Sequence, residues 1–210
     1  MNKLVIAIDG PVGAGKSTIS REIAKRLGFI YVDTGALYRA LGVYFDGKDI
    51  DLSNCEVELK YADGVQRVYV NGTDYTDKIR TPKASMLASA ISAKPEVREF
   101  LLDLQRSFAK TQSVVMDGRD IGTVVLPDAD IKIFLSAAPE ERARRRYDEL
   151  VGKGVAAVYE EVLADLNKRD YDDSHREHAP LKQADDAVLV DTTGFDFNES
   201  VEKMLSVIRK

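Results

Sequence analysis

The chain has 210 residues, of which 44% are hydrophobic and 31% charged, a composition typical of a globular domain and unlike that of a disordered chain. No apolar run is long enough to cross a bilayer, and a net charge of −5 argues against a general nucleic-acid-binding protein. The lone Cys55 cannot form an internal disulfide, and the first predicted strand begins too early for a signal peptide. We therefore expect a cytoplasmic protein that binds neither nucleic acid nor membrane.

The first predicted strand and helix enclose a phosphate-binding motif. Leu4–Ile8 is an apolar run typical of a buried strand, and Gly10–Ser17 then match the pattern G-x-x-x-x-G-K-[ST]. Apolar residues at helical spacing follow, and Gly28 stands where that helix should end. In such loops backbone N–H groups surround a polyphosphate, the lysine reaches its outer phosphates and the hydroxyl residue ligates Mg²⁺. The residues expected to bind a nucleoside triphosphate are Gly10, Pro11, Val12, Gly13, Ala14, Gly15, Lys16, Ser17 and Thr18.

Four further apolar runs, separated by helical segments, predict the rest of an α/β domain. The five strands are expected at Leu4–Ile8, Phe29–Val32, Val114–Met116, Ile131–Leu135 and Ala187–Val190. Short buried strands that alternate with helices form parallel sheets covered on both faces, and ligands gather at the carboxyl ends of such strands. Asp9, Asp33 and Asp117 each follow a predicted strand directly, so we expect them around the bound phosphates.

Two regions depart from this alternation. Residues 57–71 alternate apolar and polar side chains about Asp63-Gly64, and Asn71-Gly72 offers a second turn, so we predict a small antiparallel insertion. Residues 139–170 predict two helices joined at Gly152–Gly154, a flexible joint of the kind that a moving lid needs. The second of these helices is predicted to present one apolar face of Val155, Val158, Val162, Leu163 and Leu166.

Arginines are concentrated in the second half of this acidic chain, which indicates a second anion beside the triphosphate. They are Arg119, Arg142, Arg144, Arg145, Arg146, Arg169 and Arg176. Kinases for small anions catalyse in-line transfer mainly by positioning the reactants and neutralising charge, and a phosphate acceptor needs no strong base. The alternative, a solvated helix face with intrahelical ion pairs, accounts for some of these arginines. His175 and His178 are expected on the surface.

A switch GTPase is another class of protein that uses such a loop, but its remaining motifs are out of order here. Asp191–Gly194 supplies D-x-x-G and Asn167–Asp170 supplies N-K-x-D, although the second string should follow the first and close a strand. We therefore interpret both matches as coincidental, and the sequence favours a small-molecule kinase.

Further motifs, in order along nearly the whole chain, resemble those of bacterial cytidylate kinases. They are Ile8–Ser17, Asp33–Arg39, Ile79–Pro82, Ala88–Ser92, Pro95–Arg98, Asp117–Thr123, Arg169-Asp170 and Ala179–Leu181. The resemblance implies one P-loop kinase unit over 1–210, an α/β fold with a five-stranded parallel sheet, flanking helices, a small antiparallel insertion and a helical lid. It places an acceptor-binding region at about 34–110, with the insertion at about 57–76, and the lid at about 140–177.

The resemblance also implies an activity, the ATP-dependent phosphorylation of CMP and of dCMP with Mg²⁺ as cofactor. We expect a monomer. Two alternatives stay open: a P-loop kinase for another acceptor, such as UMP, AMP or shikimate, and a nucleotide-binding module without turnover. The combination of Ser89, Arg98 and Asp120 with the insertion weighs against shikimate.

Residue roles follow from the same resemblance. The implied catalytic residues are Lys16, Arg119, Arg142, Arg145, Arg146 and Arg169. The implied acceptor-binding residues are Thr34, Arg39, Ser89, Arg98, Arg119, Asp120, Arg169, Asp173 and Arg176. Among them Arg39, Arg119 and Arg176 correspond to phosphate ligands, Ser89, Arg98 and Asp120 to groups around the cytosine, and Arg169 and Asp173 to ribose contacts.

Two further assignments complete this set. Ser17 and Asp117 correspond to the metal site, and Arg142, Arg145 and Arg146 resemble lid arginines that neutralise the transferring phosphates. Arg144 matches no family position well, so we interpret it as solvated.

Overall fold

A computed structural model describes residues 3–62 and 64–209. Its strands, in chain order, are β1 (Val5–Asp9), β2 (Ile30–Asp33), β3 (Val57–Ala62), β4 (Val65–Val70), β5 (Thr73–Asp74), β6 (Val114–Asp117), β7 (Ile131–Ser136) and β8 (Val188–Asp191). Its helices are α1 (Lys16–Leu27), α2 (Thr34–Tyr44), α3 (Pro82–Ser92), α4 (Pro95–Thr111), α5 (Pro139–Gly152), α6 (Tyr159–His175) and α7 (Phe197–Ile208). A π-helical turn over Ile121–Val125 follows β6. None of the helices in these described ranges is both long and apolar enough to cross a membrane.

Five of the strands form the parallel sheet that the sequence predicts. Their order is β2-β6-β1-β7-β8, and every neighbouring pair is parallel. Each predicted strand is confirmed to within one residue at either end, and each includes the polar residue that follows its apolar run. Asp33 and Asp117 are register partners at the carboxyl ends of β2 and β6. Their carboxyl groups therefore meet at the edge of the sheet where a ligand is expected.

Helices cover both faces of the sheet, and the alternation along β1 shows how. Ile6 and Ile8 pack on one face with α1 and α7, whereas Val5 and Ala7 pack on the other with α4 and the π-helical turn. All four side chains are buried, since successive residues of a strand point to opposite faces. This two-sided burial is what an uninterrupted apolar run predicts for a central parallel strand.

Glycines set the path of the chain from β1 into α1. Gly13 and Gly15 have φ angles of 76° and 86°, in the left-handed region that side chains with a Cβ disfavour. A Cβ on Gly10 would lie 2.0 Å from the carbonyl oxygen of Leu135 in β7, so the loop passes directly over that strand. Gly28 ends α1 in a left-handed cap, as predicted.

The antiparallel insertion is also confirmed, as a three-stranded sheet of β3, β4 and β5. β3 and β4 pair as far as Ala62 with Val65, and Asp63 of the predicted first turn lies outside the described residues. Asn71 and Gly72 both have positive φ, as the predicted second turn requires.

Two side chains of the insertion bind the main chain of β2. The Gln66 amide accepts the N–H of Asp33 at 2.8 Å and donates to the carbonyl oxygen of Asp33 at 3.1 Å. Tyr61 Oη donates to the carbonyl oxygen of Tyr31 at 2.9 Å. The insertion is thus fixed to the central sheet at Asp33, directly before the predicted start of the acceptor-binding region.

The helix pair in the predicted lid is α5 and α6, and the break at Gly152–Gly154 is confirmed. The apolar face predicted for the second helix is wrong at its start. Val155 and Val158 precede α6 and are 43% and 50% exposed. Leu166, in contrast, is buried, and its side chain lies against Gly13 of the phosphate-binding loop. The division of the chain into an acceptor-binding region and a lid stays a prediction.

Candidate active site

One large cleft, with a volume of about 1130 Å³, opens at the carboxyl ends of β1, β2 and β6. It brings together most of the residues predicted from the sequence, namely Val12, Gly13, Gly15, Lys16, Ser17, Thr18, Thr34, Arg39, Ser89, Arg98, Asp117, Arg119, Asp120, Arg145, Arg146, Arg169, Asp173 and Arg176. Four predicted residues do not line it: Gly10, Pro11, Ala14 and Arg142. The first three are the buried part of the phosphate-binding loop, and Arg142 lies behind that loop.

The phosphate-binding loop supplies one set of anion-binding groups. Lys16 is buried, and its Nζ donates to the carbonyl oxygens of Gly10 and Pro11, each at 2.7 Å. Burial, and then the nearby Arg119, lower the pKa of Lys16. An ammonium group has three N–H donors, so one is left for a ligand. The start of α1 adds free backbone N–H groups and the positive end of the helix dipole.

A carboxylate and a hydroxyl beside the loop fit a magnesium ion. Ser17 Oγ donates to Asp117 Oδ2 at 3.0 Å, and Tyr31 Oη donates to Asp117 Oδ1 at 2.8 Å. Burial, and then the neighbouring Asp33, raise the pKa of Asp117 to about 6. Mg²⁺ takes oxygen ligands and usually binds through one or two carboxylates together with phosphates and water. Within residues 3–62 and 64–209 no group of three acidic, histidine or cysteine side chains could hold a metal ion by itself.

Two arginines of the acceptor-binding region converge on buried Asp33. Arg39 Nη2 lies 2.7 Å and Arg80 Nη1 3.5 Å from Asp33 Oδ2. Burial alone would raise the pKa of Asp33, but the two guanidinium groups outweigh it and lower that pKa. Arg39 is a predicted phosphate ligand. Arg80 also lines the cleft, and only its place within the motif Ile79–Pro82 points to it in the sequence.

A second group of charged side chains lies where the sequence predicts binding of the base. Arg98 Nη2 donates to Asp120 Oδ2, and Arg176 Nη2 lies 3.5 Å from Asp120 Oδ1. The guanidinium carbon of Arg98 is 5.5 Å from the ring centre of Tyr38. Ser89 lines the same cleft from α3. These side chains offer both donors and acceptors, the mixed set that recognises the edge of a nucleobase.

Arginines on and after α6 bring unpaired donors to the cleft. Arg119 Nε donates to Asp173 Oδ2 of α6 at 2.8 Å. Within the described part of the chain, the buried Nε of Arg169 has no hydrogen-bond partner, and the buried Nη2 of Arg176 has only its ion pair with Asp120 at 3.5 Å. A buried donor without a partner costs about 1–3 kcal/mol, so Arg169 Nε in particular favours an anionic or polar ligand. Burial, and then Arg119, lower the pKa of Arg169, although a guanidinium stays protonated in proteins.

Known proteins with the same sequence pattern decide the family. The family model for cytidylate kinase matches residues 6–210. The chain belongs to the cytidylate kinase family. It is 47% identical over 220 residues to a cytidylate kinase of Caldicellulosiruptor saccharolyticus, which covers 100% of this chain and 97% of the relative. A cytidylate kinase of Geobacter sulfurreducens is 50% identical over 218 residues, or 99% of this chain and 93% of the relative.

Solved structures share the fold of this cytidylate kinase family member. A gluconokinase of Sinorhizobium meliloti has a TM-score of 0.52 at 15% identity, over 98% of this chain and 91% of that one. At that identity the likeness shows the fold alone. The P-loop kinase fold implied by the sequence resemblance is confirmed by the observed sheet and this likeness. The family and the enzyme class of nucleoside monophosphate kinases are confirmed by the family model and the relatives.

The predicted lid arginines of this cytidylate kinase family member have different surroundings. Arg145 and Arg146 both line the cleft. Arg142 is 5% exposed, and it donates to the carbonyl oxygens of Ala137 and Val12 and to a carboxylate of α6. The expected contact of Arg142 with transferring phosphates is therefore not what the structure shows, because a buried guanidinium with three acceptors is held behind the loop. Arg144 is exposed, as predicted, with its guanidinium 4.6 Å from the ring centre of Tyr159.

A buried carboxylate after β1 has a structural partner that the sequence does not reveal. Asp9 Oδ1 accepts the N–H of Ile121 and Asp9 Oδ2 that of Gly122, each at 2.7 Å. Burial raises the pKa of Asp9 to about 6, against the two backbone hydrogen bonds, which lower it. The π-helical turn held in this way directly follows Arg119 and Asp120. Asp9 thus fixes the segment that carries these two residues and does not line the cleft, so the expectation that it lies around the bound phosphates is wrong.

Proposed function

We propose that the chain transfers the γ-phosphoryl group of ATP to CMP, and also to dCMP, and releases ADP. The observation that carries this proposal is one cleft with two separate sets of anion-binding groups. The loop with Lys16 is one set, and Arg39, Arg80 and Arg119 form the other. A nucleotide sensor needs only the first set, whereas a phosphoryl transferase has to hold two anions together. Membership of the cytidylate kinase family supports the same reaction.

The donor side supports a nucleoside triphosphate with magnesium. Backbone N–H groups of the loop would bind its phosphates, and Lys16 would turn from the loop carbonyls toward a phosphate oxygen. Ser17 and Asp117 would hold Mg²⁺, which when bound neutralises charge on the donor phosphates. Tyr31 would keep the carboxylate of Asp117 oriented, since it donates to the oxygen that Ser17 does not use.

The acceptor needs no catalytic base. A phosphate monoester has a second pKa near ~6, so it is already largely a dianion at neutral pH. An oxygen of the acceptor phosphate forms a bond to the γ phosphorus as the bond from that phosphorus to the β–γ bridging oxygen breaks. Arg39 and Arg119 would orient the acceptor phosphate through forked N–H pairs. Arg145, Arg146 and Arg169 would neutralise charge on the transferring group, while the lid helices exclude water.

Cytosine is the base that the charged side chains around Asp120 support best. Cytosine presents an amino donor beside a ring nitrogen and a carbonyl oxygen, both acceptors. Asp120 would accept from the amino group, and Arg98 and Ser89 would donate to the acceptors. Uracil has a carbonyl where cytosine has the amino group, so it would leave a carboxylate facing an acceptor, which costs affinity. Arg169 and Asp173 would contact the sugar.

We also infer a monomer that acts in the cytoplasm. All of the groups named above come from one chain, so the proposed site needs no second copy. The free thiol of Cys55 and the use of ATP suit a reducing compartment. Light scattering should give a mass of 23.3 kDa, and a stable dimer would contradict the monomer.

The activity is tested by ADP release with ATP and Mg²⁺ against equal concentrations of CMP, dCMP, UMP, AMP and shikimate. We expect CMP to give the highest kcat/KM, and dCMP to be turned over as well. A higher kcat/KM for AMP or UMP would contradict the assigned acceptor. The variant Lys16→Met, which lacks the loop ammonium, controls for contaminating kinases. ATP binding by calorimetry without turnover on any acceptor would favour the nucleotide-binding module.

A further inference from the structure

Three polar contacts behind the phosphate-binding loop come from the lid helices. The backbone N–H of Val12 donates to Asp170 Oδ1 at 3.0 Å. Arg142 Nη1 donates to the carbonyl oxygen of Val12 at 2.8 Å and to Asp170 Oδ2. Side chains from α5 and α6 therefore hold both polar groups of a single loop residue, and they are also paired with each other.

The loop packs closely against the same two helices. A Cβ on Gly13 would lie 3.1 Å from Leu166 Cδ1 and 3.2 Å from Arg142 Cβ. Arg142 Nε donates to the carbonyl oxygen of Ala137 at 2.8 Å, which fixes the guanidinium from the side of β7. Interiors packed this closely transmit displacement, so a shift of either helix would act on the loop.

Helix α6 also reaches the acceptor side of the cleft. Asp173 lies three residues after Asp170, so the two carboxylates share one face of the helix. Asp173 accepts from Arg119, the predicted ligand of the acceptor phosphate, at 2.8 Å. One face of α6 thus contacts the loop that binds the donor and an arginine that binds the acceptor.

We propose that Arg142 and Asp170 are positioning residues, which clamp Val12 and thereby fix the phosphate-binding loop relative to the acceptor-binding arginine through α6. The proposal rests on the proposed function, since it takes the loop as the ATP site. Removal of either partner leaves a largely buried charge uncompensated, so the clamp should be sensitive to single substitutions. Arg142 then acts through the loop and not on the transferring phosphates.

The test measures ATP and CMP binding separately by calorimetry, each without the other substrate. Asp170→Ala should weaken ATP binding by about tenfold or more, the loss expected for a charge-assisted hydrogen bond. CMP binding should stay within about twofold, because Asp173 still pairs with Arg119. Asp170→Asn keeps an acceptor for the Val12 N–H, so its ATP affinity should lie between those of the wild type and Asp170→Ala. Asp165→Ala, an exposed aspartate of the same helix, is the matched control and should leave both affinities unchanged.

A double-mutant cycle tests whether the two residues act as one unit. Arg142→Met combined with Asp170→Ala should weaken ATP binding no more than Asp170→Ala alone. If Arg142→Met lowers kcat but leaves the ATP affinity unchanged, the clamp proposal is wrong and Arg142 acts directly on the phosphates. Equal loss of ATP and CMP affinity together with a lower Tm would overturn it as well, since that indicates general destabilisation. A wild type that binds no ATP would defeat the proposed function, whereas ATP affinity unchanged by Asp170→Ala would defeat only the clamp.

Discussion

The proposed donor and acceptor sides of the cleft are built by different means. The phosphate-binding loop offers main-chain N–H groups, and glycines together with contact against β7 fix its shape. The acceptor side depends on charged side chains from α2, α4, α6 and the segment after β6, in pairs such as Arg98 with Asp120 and Arg119 with Asp173. A main-chain site is encoded in one short pattern, whereas a side-chain site exists only after distant segments have folded together. The two sides should therefore fail in different ways.

The donor side should fail when its backbone path is blocked. Gly10→Ala places a Cβ 2.0 Å from the carbonyl oxygen of Leu135. We expect the free energy of unfolding to fall by about 3 kcal/mol or more, and ATP binding to be lost. Denaturant unfolding and calorimetry measure the two effects. Gly28→Ala meets no atom within 4 Å and should cost only about 1 kcal/mol; equal losses would refute the steric argument.

The acceptor side should fail through charge. Arg119→Ala would remove the proposed forked contact with the acceptor phosphate, and we expect kcat/KM for CMP to fall by about 100-fold or more in the ADP-release assay. Arg144→Ala, at an exposed arginine that lies over Tyr159, should change it by less than about twofold. Comparable losses of kcat/KM in the two variants would contradict the distinction between a phosphate-binding Arg119 and a solvent-exposed Arg144.

The pH should affect the donor side through Asp117. Because this carboxylate would have to be ionised to hold the proposed metal ion, kcat/KM for ATP should fall about tenfold per pH unit as the pH decreases below about 6. Stability responds in the opposite direction. Folding raises the pKa of Asp117 from 3.8 to about 6, so the folded chain binds more protons in this interval and the contribution of Asp117 to stability falls as the pH rises through it.

The difference in unfolding free energy between the wild type and Asp117→Asn isolates that contribution across the same pH range. The difference should favour the wild type most near pH 4 and decline toward about pH 6. A difference that grows with pH would contradict the raised pKa.

The smallest expected effect separates the two substrates. Arg98→Ala should raise the KM for CMP by about tenfold and change the KM for ATP by less than about twofold. The reason is that Arg98 pairs with Asp120 in the proposed base site and not with the phosphate-binding loop. Initial rates with one substrate varied at a time provide both constants. Equal increases in both would refute base recognition by this pair.

The same contrast explains what the sequence could predict. The strands and the phosphate-binding loop follow from local patterns, and the structure confirms the strands to within one residue. The start of α6 was not predictable in this way, since Val155 and Val158 continue an apolar spacing although they lie in an exposed connection. Arg80 and the role of Asp9 depend on partners far along the chain, Asp33 and the turn at Ile121–Val125.

The arginine cluster of α5 shows most clearly what the sequence alone cannot predict. Arg142, Arg145 and Arg146 are equivalent in type and close in sequence, so a resemblance to lid arginines assigns them one role. Arg142 is buried behind the loop, where it donates to the carbonyl oxygens of Ala137 and Val12. Arg145 donates to the carbonyl oxygens of Thr192 and Phe195 and nevertheless lines the cleft. Positions in a motif indicate a function, but the hydrogen-bond partners of each side chain determine how that function is divided.

The amide of Gln66 has a consequence for how separate copies of the chain behave. A side-chain amide presents a donor and an acceptor as a peptide group does, and here both are paired with the main chain of Asp33. β2 is the outermost strand on its side of the sheet, so these are groups to which a foreign strand could otherwise add. The opposite border, β8, leaves Val188 and Leu189 about half exposed. The insertion thus covers main-chain groups at one border of the sheet that could otherwise pair with another strand, quite apart from its place beside the proposed acceptor site.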